Sequence, residues 1–111
     1  MSKSRSKRIE VVEGSGNVYA DLGFSDAAAM KVKSRLVMKI EAILKQRRLT
    51  QMRAAEITGL PQPRLSAILR GHFHNISEGK LLACLTALGQ DVTIVVTPAP
   101  RGREGRLTVA A

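Results

Sequence analysis

Apolar and polar positions fall into a helical rhythm in the middle of the chain. Leu36, Ile40, Ile43 and Leu44 recur at three- and four-residue spacing, with Met30 and Val32 upstream, so one apolar stripe runs along a helix. Neither Gly nor Pro interrupts residues 26–48, and Ser25 or Asp26 can cap the start, which predicts one long helix. Lys31, Lys33, Arg35, Lys39 and Lys45 are expected to project away from its stripe. Lys45, Arg47 and Arg48 at its end complement the helix dipole. Thr50 can cap a second helix, Gln51–Thr58, stopped by Gly59. Leu60 is a candidate buried hinge. Pro61 and Pro63 bracket Gln62, and proline is tolerated in a first turn, so a third helix starts near Gln62 or Pro63 and runs to Arg70, before Gly71. A loop, His72–Ile76, leads to Ser77, which caps a fourth helix onto which Ile76 can staple through Leu81. Leu81, Cys84, Leu85 and Leu88 share one face of it, and Gly89 ends it.

The rhythm then changes. Asp91–Thr97 (DVTIVVT) is rich in β-branched residues and reads as a strand, broken by Pro98-Ala99-Pro100. Leu107–Ala110 can add a second short strand, and residues 9–12 (IEVV) another before Gly14-Ser15-Gly16-Asn17. One strand in a helical protein leaves an unpaired edge. The expected partner is its copy in a second subunit across a two-fold axis, which makes Val92, Ile94 and Val96 the dimerisation candidates. The chain therefore divides into a basic arm (1–17), a helical domain with its dimerisation strand (18–97) and a basic tail (98–111).

A length of 111 residues suits one domain with tails, and 44% apolar residues suffice for a core. Aromatics are 3%, without Trp, so that core is aliphatic. The net charge of +9 calls for an anionic partner: nucleic acid, an anionic membrane surface or an acidic protein. The single Cys84 excludes an intrachain disulfide or multi-Cys zinc site, and its place on an apolar face reads as a buried structural thiol. The opening MSKSRSKR has the cations of a signal peptide without an apolar segment, and no stretch approaches a bilayer span. A soluble, cytoplasmic protein without a membrane partner is expected. No Ser/His/Asp set or carboxylate pair has catalytic spacing, so no enzyme and no cofactor is expected. His72 and His74 would need further ligands to hold a metal; a loop near a nucleic-acid backbone is the better reading.

The chemistry concentrates in residues 50–71, TQMRAAEITGLPQPRLSAILRG. Two short helices joined at Gly59 make a helix-turn-helix, whose second helix enters the DNA major groove. Small Ala55 lets the helices cross closely, and Leu60, Leu65 and Ile68 lock the crossing. Gln62, Arg64, Ala67 and Arg70 are left on or beside the exposed face. Arg64 can pair bidentately with guanine, a phosphate contact being the alternative; Gln62 can pair with adenine or cap the helix. Gln51 and Ser66 read as phosphate or structural residues, and Arg53, Arg47 and Arg48 as general phosphate attraction or a solvated face. Pro63 can offer only an apolar contact, such as to a thymine methyl.

The stretch resembles the Xre or Cro/CI-type repressor family through Thr50-Gln51, Ala55, Gly59-Leu60, Leu65-Ser66 and Gly71. The resemblance implies a mainly α, four- to five-helix lambda-repressor-like bundle that dimerises on a palindromic double-stranded DNA operator. It implies that Gln51 binds phosphate at a helix N-terminus. Gln62, Pro63, Arg64 and Ala67 would face bases, and Arg70 the backbone. Arg70-Gly71 departs from the family's frequent Asn-Gly ending. A wider stretch, GSGNVYADLGF through LLACLTALGQDVTIVV, is similar to HigA-type antitoxins, which repress their own operon and bind a HigB/RelE-like ribonuclease toxin. A stand-alone Xre-type regulator is the alternative. Tyr19, Leu22 and Phe24 either pack on the chain's own helices or contact such a partner.

The charge map singles out DNA among the three anionic partners. Residues 45–71 carry net +5, residues 1–8 carry +4 and residues 101–106 carry +2, over a remainder of −2. Charge on tails raises affinity for any duplex without specifying one. Specificity is expected from the residues around Gln62 and Arg64.

Overall fold

A computed structural model describes residues 26–110 of the chain. The basic arm, the short strand at 9–12, Ser25, and the segment holding Tyr19, Leu22 and Phe24 lie outside the described residues. Four helices follow one another: α1 (Asp26–Gln46), α2 (Gln51–Thr58), α3 (Gln62–Leu69) and α4 (Glu78–Ala87). With 21 residues, α1 is about 32 Å long and forms the backbone of the domain. It packs most extensively on α4, while α2 lies against both α3 and α4.

Each helix is bounded by local chemistry. The Thr50 hydroxyl accepts the Arg53 amide at 3.0 Å and the Ser77 hydroxyl accepts the Lys80 amide at 3.0 Å, so α2 and α4 begin on side-chain caps. Helix α3 begins after Pro61 with Pro63 in its first turn, where a missing N–H leaves nothing unpaired. Helix α1 ends in a Schellman turn: the Leu49 amide reaches the Leu44 carbonyl and the Arg48 amide the Lys45 carbonyl. The left-handed position of that turn, at φ 55°, is held by Arg48 rather than by glycine.

The core is aliphatic. Val32, Leu36, Val37, Ile40, Ile43 and Leu44 of α1 face Leu65 and Ile68 of α3 and Leu81, Cys84, Leu85 and Leu88 at α4, with Ile76 closing one end. Both Ile76 and Leu81 are buried, as the expected staple requires. The small residue buried fully on α2 is Ala54, at 0% exposure; Ala55, expected in that role, is only partly buried. Neighbours on a helix differ by about 100°, so Ala55 sits at the edge of the interface whose centre Ala54 fills.

Lys33 is a second correction. Instead of projecting into solvent it is 6% exposed, on the flank of the stripe formed by Val32, Leu36 and Val37. Its ammonium donates to the His74 carbonyl at 2.9 Å and faces the Glu78 carboxylate at 3.9 Å.

Within the chain the expected strand over 91–97 has no partner: no strand ladder occurs among the described residues. Val92 and Val109 pack on the core, and both flanking segments line one apolar groove of about 600 Å³ against α1 and α4. A strand exists only when a neighbour takes its amides and carbonyls. Residues 107–109 border the same groove as 92–95 without pairing to them, so the β-branched run stays unpaired, with Ile94, Val95 and Val96 exposed.

Candidate nucleic-acid interface

Helices α2 and α3 meet through Gly59, which adopts φ 80° and donates its amide to the Ala55 carbonyl at 2.8 Å. This left-handed conformation carries a steric cost for any residue with a Cβ, and it lets the chain reverse within three residues between the two helices. Leu60 plugs the turn from inside at 5% exposure, and Leu65 and Ile68 hold the inner face of α3. The Thr58 hydroxyl donates to the Ala54 carbonyl and so secures the last turn of α2.

That frame decides which candidate residues reach solvent. Gln62, Pro63 and Arg64 stand exposed together on the first turn of α3. Ser66 and Ala67 are half-buried one turn on, and Arg70 is exposed at the helix end. Gln51 and Arg53 are exposed on the first turn of α2. Gln62 is not a cap: Pro61 occupies that position and no side chain caps α3.

The cations are not equivalent. Arg64 has no hydrogen-bond or ion-pair partner among the described residues, so its guanidinium is available to a ligand. Arg70 donates to the Ser66 hydroxyl at 2.7 Å, tying together two candidates four residues apart. Arg53 is paired with Glu56 at 2.9 Å, which places a carboxylate within the basic patch and cancels part of its field. Arg47 donates to the Leu88 carbonyl at 2.7 Å, satisfying a C-terminal carbonyl of α4 that the helix leaves open. It caps the helix end while keeping its charge, so Arg47 still adds to the field of the surface but its guanidinium is held in place rather than free to reach a ligand.

The scaffold behind this surface includes residues that sequence reasoning missed. The Lys33 contact to His74 and Glu78 pins the loop after α3 to α1 and to the start of α4. A signal existed: position 33 adjoins Val32 and lies three and four residues before Leu36 and Val37. Met52, 63% exposed on α2, adds an apolar side chain to the patch. His72 and His74 are exposed, and no three His, Cys, Asp or Glu residues converge among the described residues.

Comparison with known proteins agrees with this geometry. Residues 18–97 match the family model described as a helix-turn-helix domain. A solved structure described as an XRE family transcriptional regulator is 36% identical, superimposes with a TM-score of 0.73, and covers 78% of this chain and 99% of its own. The chain belongs to the XRE family of helix-turn-helix proteins. No curated protein matches it.

Within this XRE domain, α2 and α3 are the motif helices, and α1 and α4 are the frame that carries them. Cys84 lies in the frame, 2% exposed, and burial raises its thiol pKa against the opposing effect of the nearby Lys80 ammonium. A thiol so held stays protonated and unreactive, as a packing residue should. No helix among the described residues is long and apolar enough to cross a membrane.

Proposed function

We propose that the chain is a sequence-specific DNA-binding transcriptional repressor that acts as a homodimer on a palindromic operator. The observation that carries this reading is the exposed trio Gln62, Pro63 and Arg64 at the start of α3, with Arg64 unpaired, on a helix-turn-helix frame. Such a helix enters the major groove by its N-terminal end, where Arg64 pairs with guanine, Gln62 with adenine and Pro63 touches a thymine methyl. Ala67 lines the same face. Gln51, Arg53, Ser66 and Arg70 contact phosphates and set the register. The basic segments 1–17 and 98–111 add salt-sensitive attraction around the 18–97 domain.

Dimerisation supplies the second half-site. Val92, Ile94 and Val96 lie on alternate positions of the unpaired β-branched run, and Ile94 and Val96 are exposed at 51% and 88%. Antiparallel pairing of this run with its copy satisfies its backbone and covers its side chains. Sedimentation of the full chain tests this: a dimer is expected, and Val96→Lys should shift it toward monomer.

The test of DNA recognition is a gel shift on the DNA upstream of its own gene. Wild type is expected to shift it at low salt, with affinity falling steeply as salt rises. Arg64→Ala should cost about 1–3 kcal/mol. An unchanged shift for Arg64→Ala would reject base readout by this residue.

A second reading is favoured by the likeness of GSGNVYADLGF and LLACLTALGQDVTIVV to HigA-type antitoxins. On that reading the chain also sequesters a RelE/HigB-like ribonuclease, with Tyr19, Leu22 and Phe24 in the contact. A neighbouring short basic reading frame and co-purification of its product support it. Retention of that partner after removal of residues 1–24 rejects the proposed contact. A stand-alone XRE regulator shows neither.

A further inference from the structure

The loop beyond the helical domain has a chemistry that the major-groove reading does not use. Val92 and Val109 are both seated on the core, while every residue from 93 to 108 is exposed. The segment is therefore tethered at both ends and projects between them. Its sequence is Pro98-Ala99-Pro100-Arg101-Gly102-Arg103-Glu104-Gly105-Arg106. Two prolines hold the approach extended, and the chain turns at Arg101 and Gly102, where Gly102 adopts φ 90°. None of Arg101, Arg103 and Arg106 has an ion-pair partner among the described residues; Arg103 donates only to the adjacent Glu104 carbonyl.

We infer that the Pro100–Arg103 tip is a second DNA contact, which inserts Arg101 and Arg103 into the minor groove of an A·T-rich segment. The inference rests on the proposed DNA binding and extends it to a second groove. A duplex minor groove is about 6 Å wide, so a backbone can approach its floor only where side chains do not obstruct it. Gly102 has no Cβ, and it separates two guanidinium groups that can then point in opposite directions along the groove. Narrow A·T grooves concentrate negative potential and attract arginine, whereas G·C pairs place the guanine N2 amine on the floor. Guanidinium is more weakly hydrated than ammonium, so it enters such a groove at lower cost than lysine would. All three cations of this loop are arginines.

The test uses fluorescence anisotropy of the full chain at about 50 mM salt. Three duplexes share one sequence except for a central block of A·T, G·C or inosine·cytosine pairs. Inosine·cytosine keeps the major-groove pattern of G·C but lacks the minor-groove amine. Wild type is expected to bind the A·T and inosine·cytosine duplexes about tenfold more tightly than the G·C duplex, in the range of base discrimination. The double variant Arg101→Ala/Arg103→Ala should lose that preference, while its thermal midpoint stays unchanged because both side chains are exposed. Arg64→Ala should weaken binding to all three duplexes and keep the preference. An equal loss across the three duplexes for the double variant overturns the inference, leaving a phosphate contact. Preference for A·T without preference for inosine·cytosine overturns it as well. Wild-type binding without preference refutes the minor-groove tip alone, and no binding to any duplex refutes it together with the DNA-binding reading.

Discussion

Replacing Glu78 by Gln tests how the frame holds the loop behind the recognition-type helix. Lys33 and Glu78 have side chains only 8% and 11% exposed, and the ammonium lies 3.9 Å from the carboxylate. At an effective dielectric constant of about 20 their attraction is about 4 kcal/mol, which offsets a desolvation cost of several kcal/mol for each ion. Glu78→Gln removes the attraction and keeps the cost of the buried ammonium, which retains the His74 carbonyl at 2.9 Å. The expected loss is about 3 kcal/mol, the lower end for breaking a buried pair, since one hydrogen bond to the charge survives. A domain of this size has a total stability of about 5–15 kcal/mol, so a loss of about 3 kcal/mol is a large fraction of it and leaves the variant folded but measurably weaker. Urea unfolding followed by circular dichroism should show a lower midpoint with an unchanged slope. The double variant Lys33→Met/Glu78→Gln removes the charge that the single variant strands. It should recover more than about 1 kcal/mol relative to the sum of the single losses. A loss below about 0.5 kcal/mol for Glu78→Gln, or strict additivity in the double variant, would refute the view that this pair is coupled.

Three further outcomes are expected. Arg48→Gly should stabilise the domain by about 0.5–1 kcal/mol, because relief of a left-handed non-glycine residue outweighs the added freedom of the unfolded chain; a denaturation midpoint that falls would contradict this. Glu56→Gln frees Arg53 and removes the acid from the patch, so affinity for any duplex should rise several-fold and the salt dependence should steepen, as read by gel shift over a salt series. Cys84 has a raised folded pKa, so the native state holds its proton more tightly than the unfolded state. The stability that this contributes is fully present below the ordinary thiol pKa of about 8.5 and is lost as pH rises through the folded value. Cys84→Ala should flatten that decline in urea titrations across alkaline pH, and native wild type should resist alkylation.

Much of this protein is written in short-range sequence. The caps Thr50 and Ser77, the stop at Gly59, the Pro61–Pro63 entry to α3 and the apolar stripe of α1 each depend on residues within about one turn of one another. Helix bounds, the motif turn and the exposed trio Gln62, Pro63 and Arg64 follow from them. The Arg53–Glu56 pair is equally local, three residues apart on one helix face, although from sequence Arg53 reads as a free or solvated cation.

What only the tertiary structure decided involves distant partners. Lys33 to His74 and Arg47 to Leu88 each join residues 41 positions apart, so two cations that look solvated in the sequence are structural. Residues 91–97 have strand composition, but a strand also requires a neighbour for its backbone, which composition does not supply. Sequence by itself determined the helices, the turn and the positive charge, because these are local or additive. The fold decided which arginines remain available to a ligand, because hydrogen bonding and burial are set only when distant segments meet.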